Sequence, residues 1–189
     1  GGVMIAGNPT ERNDIETMCT DGKNIFYSLP FVNTLTVIEN ATVLVHEIMH
    51  IVDKHHIRMG NRDPKLWNFA CDLKVNNTIE TYDYQRDRVF GMASFRKPDL
   101  RLQLPKGGLV EMPDFGLTRD KCRKMTAEEI YAVLEQNKDA VKDKPQQSWG
   151  GEIEKPTNED GSEMNQEQLE KLSKSIDRKI VQAGIKAKQ

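Results

Sequence analysis

Cysteine is scarce: Cys19, Cys71 and Cys122 are the only three in 189 residues, far apart in the chain. With no C-x-x-C pair among them, neither a zinc ribbon nor a disulfide framework is indicated, and reduced structural thiols are expected. No apolar run approaches the roughly 20 residues of a membrane span, and no basic-then-apolar leader stands in the opening stretch. Charge of one sign is lacking too. The 27 Lys and Arg are interspersed with 29 Asp and Glu for a net charge of -2, so neither nucleic acid nor an anionic membrane is expected as a partner. The chain is expected to be soluble and cytoplasmic. Because it opens on Gly1-Gly2 rather than Met, it reads as a processed or excised piece of something longer. Its length suits one domain with appendages, enough to bury a sizeable core.

What the sequence does have is an H-E-x-x-H motif, His46-Glu47-Ile48-Met49-His50, set inside the apolar run Val43–Val52. At helical spacing residues four apart lie one turn above each other, so His46 and His50 share a face and can hold one metal ion between them. Glu47 lies on the neighbouring edge, too close in sequence for a third ligand but suited to a metal-bound water. Val43, Leu44, Val45, Ile48, Met49, Ile51 and Val52 make the helix apolar nearly all round, leaving the His-Glu-His face as its polar strip. Unpartnered in such a helix, each of those side chains would cost roughly 1–3 kcal/mol. A metal ion removes that cost. The competing arrangement is a core helix whose histidines bond backbone carbonyls and whose glutamate meets an arginine such as Arg58.

The motif helix, with a polar start at Glu39-Asn40-Ala41-Thr42, is expected to run past Val52 to Arg58, and Met59–Pro64 ends it. Asp63 then caps a second helix with Pro64 at its first position. Joined by so short a turn, the two helices should pack side by side with Asp72 opposite the His46–His50 pair. A catalytic zinc site needs three protein ligands and an open position. Asp72, an acid in the apolar and amide-rich stretch Asn68–Asn76, is the candidate third ligand, and Asn76, one turn on, is expected to hold its carboxylate. His56 competes, since it follows His50 at the spacing of the third metzincin histidine. Metzincins turn the chain there with a glycine where this sequence has Asp53. On an unbroken helix neither His55 nor His56 faces the metal, which makes both structural or supporting histidines.

Upstream, Thr20-Asp21-Gly22-Lys23 reads as a tight turn leading into the β-prone run Asn24–Ser28. That run is either a sheet edge that binds extended substrate by strand addition, as in thermolysin-like peptidases, or an interior strand without a ligand. Tyr82, Tyr84, Arg86 and Arg88 are candidates for stabilising an oxyanion. Residues 91–120 read as a long excursion with one alternating piece, Leu100–Leu104. Thr126-Ala127-Glu128-Glu129 is a capping box that opens an amphipathic helix. Boundaries follow: a domain over 1–138, a flexible polar linker over 139–165, and a C-terminal amphipathic helix over 166–189, striped by Leu169, Leu172, Ile176 and Ile180. That last helix either docks on the domain or binds a protein partner.

Thr20-Asp21-Gly22, His46-Glu47-x-x-His50, His55, Arg58, Asp63-Pro64, Trp67-Asn68, Ala70, Asp72, Asn76 and Ala127-Glu128-Glu129-Ile130-Tyr131 together carry a resemblance. Over roughly residues 18–135 the chain resembles the metal-dependent peptidases of bacteria and phages that often precede a von Willebrand factor A-like domain. The resemblance implies a zincin-like α+β fold, with the HExxH helix packed on a second helix and a small sheet. It also implies a metal on His46 and His50 with Asp72 as third ligand. Two departures stand out: the family's Asn-Pro pair appears as Ser28-Leu29-Pro30, and no von Willebrand-like domain follows in these residues. Two functions compete. One is zinc-dependent hydrolysis of a peptide or protein substrate with Glu47 as general base. The other is a non-catalytic, metal-stabilised interaction module that acts through its C-terminal helix.

Overall fold

A computed structural model of the chain describes residues 6–89, 102–106, 115–142 and 153–186, with the side chains of 81–89 and 141–142 excepted. The fold is α+β. Three short strands, β1 (Thr10–Glu11), β2 (Met18–Thr20) and β3 (Ile25–Tyr27), form a sheet in the order β1-β3-β2. β1 runs parallel to β3 and β2 antiparallel, with Cys19 opposite Phe26. The run Ile25–Tyr27 is therefore the central strand, paired on both sides, and not the substrate-binding edge. The edge that lies beside the motif helix is β2.

Helix α1 (Leu29–Thr34) leads into α2 (Val37–Val52), which begins earlier than its polar residues suggested. Thr36 is the reason: its hydroxyl accepts from the Glu39 N–H at 3.2 Å and the Glu39 carboxylate accepts from the Thr36 N–H at 2.8 Å, a reciprocal cap of orphan donors. The far end also departs from expectation. The helix stops at Val52, and Lys54 takes the left-handed conformation at φ 55° before a separate turn, α3 (His55–Arg58). Lys54 tolerates this because its carbonyl accepts from the Ile57 and Arg58 amides at 3.0 Å and its ammonium meets Asp177 at 2.7 Å. α4 (Pro64–Val89) follows, with Asp63 capping the Leu66 N–H at 3.0 Å, as the Asp-Pro start requires.

Three further helices are α5 (Arg119–Lys124), α6 (Ala127–Gln136) and α7 (Lys138–Lys142), and the last is α8 (Gln166–Lys186). The Thr126 and Glu129 capping box forms as its spacing predicts. Arg58 pairs with Glu128 and not with Glu47. Apolar side chains segregate into two cores. One joins α4, α5 and α6 through Trp67, Cys71, Leu73, Cys122, Ile130 and Leu134. The other joins the sheet, α2 and α8 through Met18, Ile25, Val43, Ile51 and Ile176. Leu172 and Ile180 pack on that second core, so the stripe of the C-terminal helix docks on the chain itself. All three cysteines are free and buried. Among the described residues no helix is long and apolar enough to cross a membrane.

Two regions differ from their sequence reading. Leu102–Leu104 belongs to no strand among the described residues, and the Gln103 N–H donates to the Thr42 hydroxyl at 2.9 Å; Leu100 and Arg101 lie outside the described residues. Of the stretch 139–165 expected to be a flexible linker, 139–142 belong to α7, residues 143–152 also lie outside the described ones, and 153–157 are anchored to the domain. Ile153 is buried in the first core, Glu154 pairs with Arg12, and Thr157 bridges Glu163 in a small hairpin. A few anchors suffice where composition alone suggested solvation.

His56 sits with its ring against Gly22, whose φ of 85° and missing side chain admit it: a Cβ there would fall 2.1 Å from the imidazole. Neither ring nitrogen has a hydrogen-bond partner among the described residues. Burial pushes the His56 pKa down to about 4, against a smaller upward pull from Asp21. The unfolded chain binds that proton near pH ~6.5, so its contribution to stability is complete above that value and is lost as pH falls toward 4, by on the order of 3 kcal/mol. Urea midpoints of the metal-free protein should therefore fall more steeply from pH 7 to 4 in the wild type than in His56→Leu. Parallel curves would exclude His56 as the source.

Candidate metal centre

His46 and His50 project from one face of α2, and Asp72 reaches the same point from the middle of α4. Nε2 of His46 lies 2.9 Å from Nε2 of His50, and Oδ1 of Asp72 lies 3.4 Å from the first and 3.2 Å from the second. A triangle of those sides has a circumscribed radius of about 1.8 Å, so points at the usual zinc-to-ligand distance of roughly 2.0–2.2 Å from all three corners exist just off its plane. The donor chemistry fits as well. Nδ1 of His46 faces the Asn76 carbonyl oxygen at 2.8 Å; because that oxygen can only accept, Nδ1 carries the proton and Nε2 presents its lone pair to the carboxylate. Converging lone pairs of this kind call for a cation between them. These residues fit a divalent metal ion.

All four motif side chains are buried: His46 is 1 % exposed, Glu47 2 %, His50 2 % and Asp72 0 %. Burial by itself would raise the Asp72 pKa, but when the imidazoles of His46 and His50 carry a proton at Nε2 their hydrogen bonds and ion pairing hold it well below the usual carboxylate range. Glu47 has no such partner. Its Oε1 is unpartnered among the described residues, and burial pushes its pKa up to about 8, lowered by His46 and raised by Asp72. A carboxyl group buried next to the cluster and free to hydrogen-bond is costly unless it meets something that enters the site.

The supporting contacts differ in part from expectation. Asn76 meets His46, and Asn68, one turn before Asp72, brings its amide to the carboxylate Oδ2 at 3.4 Å. Since residues four before and four after Asp72 share its face, the helical period cannot distinguish them. His55 takes the supporting place that the sequence allows it, by a route the sequence does not show. The break at Lys54 brings its Nδ1 within 3.1 Å of Nδ1 of His50, while the Trp67 indole N–H anchors the His55 carbonyl at 3.0 Å. His56 takes no part in the cluster. The side chains of Tyr82, Tyr84, Arg86 and Arg88 lie outside the described residues.

His55 fixes the tautomer of His50 by engaging its outer nitrogen, as residues that surround metal ligands commonly do. His55→Ala is accordingly expected to weaken metal binding about 10–100-fold. His55→Asn, whose side-chain oxygen falls near the lost Nδ1, should recover most of it, and His55→Gln should not. Chelator-competition titration measures all three, and equal affinities would reduce His55 to packing.

A family model described as "Putative metallopeptidase domain" matches residues 1–188. No curated protein and no solved structure matches the chain.

Proposed function

We propose that this chain, which belongs to the metallopeptidase-domain family matched along residues 1–188, hydrolyses peptide bonds of peptide or protein substrates at a zinc centre held by His46, His50 and Asp72. The single observation behind this is the triangle of three ligand atoms with an unpartnered, buried Glu47 beside it. The motif helix, the second helix and the small sheet support reading the fold as zincin-like. The expected location is the cytoplasm.

Bound zinc supplies Lewis acidity, polarising the scissile carbonyl and lowering the pKa of water toward ~7. Glu47 acts as the general base, taking a proton from the attacking water at its free oxygen and giving it to the leaving amine. A carboxyl group whose pKa is raised toward neutrality both accepts and returns a proton readily, and burial puts Glu47 in that range. Asn76 and His55 hold the two imidazoles with their Nε2 atoms turned inward, and Asn68 steadies the carboxylate. The side chains of the cluster are buried in the surrounding core, which strengthens the electrostatic interactions among them.

The enclosure of the four side chains favours, as a second reading, a structural metal in a non-catalytic module. Such a site closes with four protein ligands, yet among the described residues no fourth His, Cys, Asp or Glu joins the three. Elemental analysis with cleavage of a fluorogenic peptide library decides between them. One zinc per chain and activity that is removed by chelation and restored by zinc are expected. A purified chain that takes up no zinc overturns both readings, and a zinc-loaded chain that cleaves nothing overturns the first.

A further inference from the structure

The edge strand β2 lies alongside α2 and is the natural place for an extended peptide to approach Glu47 and the ligands. That edge is already engaged by the chain's own residues. The Glu154 N–H donates to the Thr20 carbonyl at 3.3 Å, a main-chain bond on the free side of β2. One residue earlier, the Ile153 N–H donates to the Asn68 carbonyl oxygen at 3.1 Å, and the amide of the same Asn68 reaches Asp72. Segment 153–154 thus spans from the sheet edge to the residue that steadies a metal ligand. Its side chains are received as well. Ile153 enters the core of α4 and α6, and the Glu154 carboxylate takes two bonds from the Arg12 guanidinium at 2.9 and 3.0 Å, with Arg12 stacked over Phe26. Pro156 is buried, and Lys23 holds the Thr157 carbonyl at 2.8 Å.

We infer that residues 153–156 are an internal pseudosubstrate: they occupy the peptide-binding edge of β2 and keep the centre closed, and an extended peptide takes their place when they lift. This deepens the peptidase reading and rests on it for the word substrate. An apolar residue followed by an acidic one is the pattern the edge accepts, because the pocket of Ile153 is apolar and Arg12, which also pairs with Asp14 at 2.6 Å, stands beside the next position. Several of the anchors are polar and partly exposed. The Arg12–Glu154 pair, the Lys23 contact and one long main-chain bond are individually weak, so the segment can release without unfolding the chain.

The full chain, its Glu154→Lys variant and the charge-swapped pair Arg12→Glu with Glu154→Arg test this. Two readouts are independent of turnover: amide hydrogen exchange at Ile153 and Glu154, which needs no metal, and the rate at which zinc-loaded protein loses zinc to EDTA. Both are expected to rise about tenfold in Glu154→Lys, where an attraction becomes a repulsion, and to return toward wild type in the swapped pair. Exchange in α2 and α4 should stay unchanged, which shows that the variant is folded. A labelled peptide of sequence Glu-Ile-Glu-Lys-Pro-Thr-Asn should bind Glu154→Lys more tightly than wild type. Unchanged exchange at Ile153 and Glu154 in a folded Glu154→Lys protein overturns the proposal, even if peptides are cleaved. If exchange, zinc loss and peptide binding respond as expected but no variant cleaves any peptide, the strap stands and the peptidase reading falls.

Discussion

Replacing Glu47 with glutamine is expected to lower peptide hydrolysis by about 10²–10⁴-fold while the zinc content stays at the wild-type level. Glutamine keeps the shape and the polar oxygen of the side chain but cannot accept and return a proton. The ligand triangle, built from α2 and α4 without Glu47, is untouched by the change. Removing a buried carboxyl whose pKa stands at about 8 also takes nothing from the folded state near neutral pH. The measurement is kcat on a cleaved peptide together with metal content of the same preparation. Activity within tenfold of wild type would assign the proton transfer to another group. Loss of zinc along with activity would make Glu47 a ligand.

Asp72→Ala should have the larger effect on the metal. Apparent zinc affinities of roughly 10–16 kcal/mol spread over about four ligands imply a weakening of about 10²–10³-fold when one is lost. The substitution also leaves His46 and His50 buried against each other without the carboxylate that both imidazoles contact. Wild-type protein should gain thermal stability on addition of zinc, because anything that binds only the native state stabilises it by mass action. The variant should gain almost none at the same concentration. A zinc-dependent rise in Tm equal to wild type in Asp72→Ala would mean that the third ligand lies elsewhere.

The grouping of His46, His50 and Asp72 was legible because its signals are local and periodic. His46 and His50 are four apart in an apolar run, and the short Met59–Pro64 turn fixes how α4 returns, which puts Asp72 in place. Other features depend on events that carry no sequence mark. Lys54 bends the chain in a left-handed conformation usually left to glycine, and it is held there by an ion pair to Asp177, 123 positions away in the chain. Without that bend His55 would face away from His50. The order of the sheet was hidden because β1 has two residues and β2 three, too few for an alternation to show. The hold on residues 153–157 rests on two main-chain donors and single side chains from distant elements, and a composition dominated by charge and amide groups conceals such contacts.

The two cores meet at the metal centre. His46 and His50 stand on the helix that packs with the sheet and α8, and Asp72 on the helix that packs with α5 and α6. An ion held there would be a strut between the two apolar cores, so loading would decide whether they respond to heat as one unit or as two. The aspartate that α4 lends to α2 would therefore make a bound ion a fastener of the molecule, and a protein stripped of it would part first between α2 and α4.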